Sequence, residues 1–309
     1  MTDRRVAVVA TSPRVAPGLL CASAWELLGA GPVLVRTADH PLLAAVQVDA
    51  QVVGGDDAAV VDRLWQLLAD QELVVWLAEP GGDADLVRAI GRRCLTDRAV
   101  TLEVVHGSYD LPGARLIDVV AVMDRLRSPG GCPWDARQTH RSLLPYLVEE
   151  TYEAYQAIED NDLPGLREEL GDVLLQVAFH ARIASESGWD LDDVATDLVE
   201  KLTRRHPHVF AGASADDLEG SWEALKQAEK GRTSVADGVP LALPALALAA
   251  KLQKRGDRIG APLPSYDGPA GQIWQLVAQC RAEGVDPEAE LRRLASDYRD
   301  RVVAHESEG

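Results

Sequence analysis

The stretch VEETYEAYQAIEDNDLPGLREELGDVLLQVAFHA, residues 148–181, limits the fold more than any other. Apolar residues recur at helical spacing on both sides of a short polar break, so the segment predicts two helices joined by a tight turn. Ser142 is placed to cap the first, with Pro145 in its first turn, and Asp162 to cap the second, with Pro164 placed similarly. A break this short makes the pair an antiparallel hairpin.

Charge is distributed unusually along that hairpin. On the first helix Leu144, Leu147, Val148, Thr151, Tyr155 and Ile158 define the expected apolar stripe, and Glu150 and Glu153 lie off it. Three residues apart, these two carboxylates stack with Cβ atoms roughly 5–6 Å from one another. Ala154 and Ala157 beside them are small and admit a neighbouring helix closely. Glu169 and Asp172 repeat the three-residue step on the second helix, with Gln176 and His180 continuing along nearly the same face. The run VLLQVAFHARIA after Asp172 predicts a helix largely surrounded by protein, with Asp172 buried or nearly so.

An unpaired ionised carboxylate in such a place costs several kcal/mol, so the group needs a cation, basic partners or a raised pKa. Four carboxylates meeting across a hairpin repel one another, and a hard divalent cation is the simplest compensation. Magnesium, or manganese in its place, fits best because it accepts a few carboxylates and bridges to substrate phosphates. A di-iron bundle would call for Glu-x-x-His pairs, which neither helix has. Glu149 and Glu168 read as solvated helix surface.

The rest of the chain sets the frame. Residues 5–105 alternate β-rich runs (RVAVVA, GPVLVR, ELVVWLA, AVTLEVV) with helical stretches, which predicts a small α/β domain with a mostly parallel sheet over 1–105. A linker follows at 106–115, and from Leu116 onward helical periodicity dominates, giving an α+β multidomain chain: helices over 116–232 and a helical C-terminal region over 233–309. Forty-nine acidic against thirty-one basic residues give a formal charge of −18, which argues against nucleic acid or anionic membranes as partners. Four scattered cysteines without metal or redox spacing, no signal-peptide pattern and no long apolar run predict a cytoplasmic protein with reduced thiols.

Beyond the hairpin, LIDVVAVMDRLRSPGGCPWDARQTHRSLLPYLVEETYEAYQAIED, LREELGDVLLQVAFHARIA, KLTRRHPHVF, and SWEALKQAEK with DGVPLALPALALAAKLQKR resemble the MazG family of nucleoside triphosphate pyrophosphohydrolases over about residues 116–255. The resemblance implies an all-α helical bundle, usually a homodimer in which hairpins of two subunits pair. It also implies magnesium-dependent hydrolysis of a nucleoside triphosphate to monophosphate and pyrophosphate. Glu150, Glu153, Glu169 and Asp172 fall on the family's metal positions. Glu149, or an incompletely coordinating member of the quartet, would take the proton of the attacking water.

Lys201, Arg204 and Arg205 form a basic cluster in an acidic chain, and with Lys226 they are the candidate phosphate ligands. Trp134 and Trp222 are candidates for stacking on a base. The tail GVDPEAELRRLASDYRDRVV is similar to the last helix of a second MazG repeat whose acidic motif is missing, which predicts one metal site per chain. VLVRTADHP and AEPGGDADLV resemble fragments of a tetrapyrrole methylase domain, here too short to hold that domain's cofactor site. The expected function is removal of standard or non-standard nucleotides from the pool. The alternatives are a nucleotide-sensing module without turnover and an acidic scaffold indifferent to magnesium.

Overall fold

The computed structural model describes residues 4–212 and 234–308. Its contacts divide the chain into two compact units, Met1–Thr196 and Asp197–Gly309. The first opens with β1 (Arg4–Ala10), β2 (Val33–Val35), β3 (Ala50–Val52), β4 (Leu73–Leu77) and β5 (Val100–His106), a parallel sheet in the order β3-β2-β4-β1-β5. The four strand runs expected from sequence are present, and β3 is an addition.

Parallel neighbours need crossovers, supplied by α1 (Ala22–Ala30), the short α2 (Leu43–Val46), α3 (Asp57–Leu67) and α4 (Ala84–Thr96). Val6 and Val8 of β1 face Val60 and Leu64 of α3 and Leu86 and Ile90 of α4, whereas Ala7 and Val9 face Ala24, Leu27 and Leu28 of α1. With both faces covered, β1 reads as a continuous apolar run and not as an alternating one. Arg14, in the loop after β1, pairs with Asp110 at 2.7 Å and with Asp118 on α5 (Arg115–Arg127) at 2.5 Å. The α/β layer and the first helix beyond it are thereby tied together.

Next come α6 (His140–Glu159) and α7 (Leu163–Ala184), which pack on each other, with α5 against α7. Met123, Leu143 and Phe179, one from each helix, form their shared core. Asp162 caps α7 as expected, accepting from the Gly165 N–H at 3.1 Å. The cap of α6 lies three residues before the expected one. Thr139 accepts from the Ser142 N–H at 3.1 Å and Ser142 accepts from the Thr139 N–H at 2.9 Å, so Ser142 is the far member of a capping box and Pro145 lies inside the helix.

The apolar stripe expected on α6 also needs correction. The side packed on α7 is Leu143, Ala154 and Ala157, while Leu144 (56% exposed), Val148 (48%) and Ile158 (58%) face outward. Small residues win the inner face because they let the two helix axes approach. α7 is covered on one side only, since Leu170, Leu175 and Val177 are exposed and Asp172 is half-buried, not buried.

α8 (Leu191–Arg205) crosses the boundary between the units. The second unit continues with the short α9 (Pro207–Phe210), α10 (Ala245–Asp257), α11 (Gly268–Ala282) and α12 (Pro287–Glu308), the last three packed on one another. Arg255, almost fully buried, donates to the carbonyls of Val235 and Asp237 at 2.8 Å each and pins the entry to α10. Among the described residues no strand follows β5, and no helix is long and apolar enough to cross a membrane.

Candidate active site

The hairpin brings carboxylates together because α6 and α7 run antiparallel, which sets the second and third turns from the end of α6, with Glu153 and Glu150, beside the second and third turns of α7, with Glu169 and Asp172. Oxygens of Glu150, Glu169 and Asp172 all lie within 4.8 Å of one another, each residue half-buried, and this is the one such group among the described residues. Burial pushes the Glu150 carboxyl above its ordinary value, and the charges of Asp172 and Glu153 push it further. Glu169 is raised in the same way, by loss of water first and by the charges of Glu153 and Asp172 next. Glu153 is more exposed and flanks the three, and its charge acts on both Glu150 and Glu169. Glu149 is exposed.

This donor set suits magnesium. Octahedral ligands at 2.0–2.1 Å stand roughly 3–4 Å apart, inside the 4.8 Å limit that the three oxygens meet, all three donors are hard oxygens, and a cation would offset both the burial and the like charges that raise Glu150 and Glu169.

Trp134 lies in the same unit, 46% exposed, with edge-on contacts to Tyr146 of α6 (centroids 6.2 Å apart) and Phe179 of α7 (6.5 Å). Its loop is held by a buried arginine that the sequence reading passed over. Arg127 Nη1 donates to the carbonyls of Asp135 (2.5 Å) and Gln138 (3.3 Å), and its guanidinium lies over the Phe179 ring at 5.6 Å. Gly131 folds the loop back on α5 so tightly that a Cβ would come 2.3 Å from the carbonyl oxygens of Arg125 and Leu126. The signal for both was present, in an arginine closing α5 and in the second glycine of SPGGCPW. At the start of α6, directly after this loop, His140 and His180 join through their Nδ1 atoms at 2.8 Å with rings stacked, and Trp189 stacks on His140.

Lys201, Arg204 and Arg205 occupy the last turns of α8, in the second unit. Trp222 and Lys226 lie outside the described residues.

Comparison with known proteins bears on the family. The family model for the MazG nucleotide pyrophosphohydrolase domain matches residues 138–210, which contain all four acidic positions. An uncharacterized 26.1 kDa protein from the blaB 3' region of Streptomyces cacaoi is 49% identical over 74% of this chain and 99% of that protein. The nucleoside triphosphate pyrophosphohydrolase/pyrophosphatase MazG of Thermotoga maritima is 42% identical over 59% of this chain and 71% of that protein. The nucleoside triphosphate pyrophosphohydrolase of Mycobacterium tuberculosis is 47% identical over 67% of this chain, which spans 63% of its length. A hairpin whose two acidic pairs converge, inside a matched family model and with relatives covered over most of their length, places the chain in the MazG family of nucleotide pyrophosphohydrolases.

Proposed function

We propose that this MazG-family hydrolase converts nucleoside triphosphates and water to nucleoside monophosphates and pyrophosphate in a magnesium-dependent reaction that clears unwanted nucleotides from the cytoplasmic pool. The observation that carries the reading is the convergence of Glu150, Glu169 and Asp172. These three hold the ion, and Glu153 serves as fourth ligand or as acceptor of the attacking water's proton. When bound there, magnesium supplies charge neutralisation for the triphosphate oxygens and acidity for a coordinated water. Half-burial of the three carboxylates strengthens their hold on a cation by lowering the local dielectric. Lys201, Arg204, Arg205 and Lys226 are the phosphate ligands of this reading. Trp134 and Trp222 offer aromatic faces, which stack on any base with little discrimination.

The test is incubation with a panel of standard and damaged nucleoside triphosphates, with and without magnesium, and separation of products by ion exchange. Monophosphate with pyrophosphate, only when magnesium is present, is expected. Orthophosphate would make the protein a phosphatase, and binding without product would make it a nucleotide sensor.

The outward stripe Leu144, Val148 and Ile158 on α6 supports a homodimer through the helical region, because exposed apolar runs of this kind mark interfaces. Val148→Glu is expected to shift sedimentation from dimer to monomer while leaving the helical circular dichroism unchanged. A wild type that sediments as a monomer at micromolar concentration would remove the dimer.

A further inference from the structure

One turn beyond Asp172 on α7 stands Gln176, 5% exposed, its Oε1 enclosed and without a hydrogen-bond partner. Asp172 meets Glu150 of α6, and His180 bonds His140 of α6. Gln176 lies midway between Asp172 and His180 in four-residue steps, so it is on the side of α7 that packs against α6. Its Cβ is roughly 5–6 Å from that of Asp172. His180 Nε2 is likewise enclosed and unpartnered. A single ridge thus carries a carboxylate of the metal cluster, then an amide with an open acceptor, then an imidazole.

Buried polar side chains are hydrogen-bonded as a rule, so an enclosed acceptor with nothing to accept calls for a donor that arrives from outside. Position selects the donor. The inference rests on the pyrophosphohydrolase reading, in which the carboxylates hold the phosphate end of the substrate. In a nucleoside triphosphate the group next to the α-phosphate is the sugar, and the sugar's hydrogen-bond donors are its hydroxyls. The residue type suits that task. A carboxylate so near the phosphates would repel them, and an aliphatic side chain could not bond, whereas a neutral amide accepts from a hydroxyl without adding charge.

We infer that Gln176 accepts a hydrogen bond from a ribose hydroxyl of the bound nucleotide and so makes the enzyme discriminate between sugars. A site that commits a buried polar group to a substrate hydroxyl disfavours the analogue lacking it, because the protein group is then left unpaired. Base identity need play no part in this step, which is compatible with a pocket that accepts several bases.

Gln176→Met tests this, since it removes both amide atoms at nearly constant volume. The probes are the triphosphate that the wild type hydrolyses best and its 2'-deoxy, 3'-deoxy and 2',3'-dideoxy forms, used for kcat/KM, together with their α,β-imido analogues for calorimetric binding with magnesium. The wild type is expected to favour the hydroxyl-bearing nucleotide over the dideoxy form by about tenfold or more. Gln176→Met should erase that preference by weakening the hydroxyl-bearing forms alone, and the 2'- and 3'-deoxy probes then show which hydroxyl is bonded. The ligand-free variant should melt at or above the wild-type temperature, because an unpartnered acceptor has been replaced by an apolar group. Should Gln176→Met fail to fold, Gln176→Asn, which withdraws the amide by one methylene, carries the same expectation. Equal weakening for every sugar, or a wild type that hydrolyses nucleotides without sugar preference, overturns the inference and leaves the pyrophosphohydrolase reading intact. A wild type that hydrolyses none of the panel overturns both.

Discussion

Glu169→Gln is expected to lower kcat by on the order of 10³-fold, the scale at which loss of metal-ion charge stabilisation is felt, while the protein stays folded. Glutamine keeps the volume of glutamate and one ligating oxygen but removes a negative charge from a cluster whose oxygens lie within 4.8 Å. Without magnesium the same change should raise the melting temperature, because Glu169 is desolvated and faces the charges of Glu153 and Asp172. The two effects have opposite signs, which separates a site carboxylate from a structural one. Stoichiometric magnesium should raise the melting temperature of the wild type and raise that of the variant less. Wild-type turnover in Glu169→Gln would take this residue out of the mechanism.

The pH dependence follows from the same carboxylates. Glu150 and Glu169 titrate above their ordinary 4.5 in the folded protein, so the folded state binds their protons more tightly than the unfolded state does. Their contribution to stability is therefore fully present below pH 4.5 and is lost as pH rises through the raised values. Asp97, Asp110 and Asp118 are depressed below 3.8, Asp97 by the Trp65 indole, Asp110 by Ser12 and Asp118 by Arg14, so their contribution is lost as pH falls further. A metal-free melting curve should accordingly peak in mild acid, with the decline above pH 4.5 shallower in Glu169→Gln and shallower again with magnesium.

The hairpin and its acidic pairs were legible in the sequence because they depend on short-range rules. Asp162 with Pro164 announces a helix start, and a three-residue step puts two carboxylates on one face whatever surrounds them. The phase of α6 was not legible. Hydrophobicity alone aims Leu144, Val148 and Ile158 inward, but the contact with α7 is made by Leu143, Ala154 and Ala157 beside Glu150, and the larger side chains are left on the outside. Periodicity reports which face is apolar and is silent on which partner covers it. The cap of α6 was misplaced because Thr139 and Ser142 both suit the position and only their reciprocal bonds decide. β3 escaped notice although VQVDAQV, residues 46–52, alternates apolar and polar residues, because only its last three, Ala50 to Val52, form the strand, too short a run to stand out.

Phe179→Ala is expected to cost about 3–5 kcal/mol, the usual range for emptying a buried phenylalanine site. Phe179 is 3% exposed, fills the space between Met123 and Leu143, and carries the Arg127 guanidinium on its face and Trp134 on its edge. Apolar transfer and the cavity left behind dominate that cost, since a cation over an aromatic face is worth only about 0.5–2 kcal/mol. A melting temperature lower by on the order of 10 °C is expected, with Phe179→Leu recovering most of it. Phe179 also braces the loop that presents Trp134, so KM should rise while kcat of the folded variant stays within about tenfold of wild type. At 1.5 Å per residue, ten residues of α7 separate the ring from Glu169 by about 15 Å, beyond the range at which substitutions normally couple. In the double variant the Phe179→Ala loss of stability and the Glu169→Gln loss of kcat should therefore both appear undiminished. A double variant whose stability departs from the sum by more than about 0.5 kcal/mol would mean that the aromatic core and the carboxylate cluster form one cooperative site.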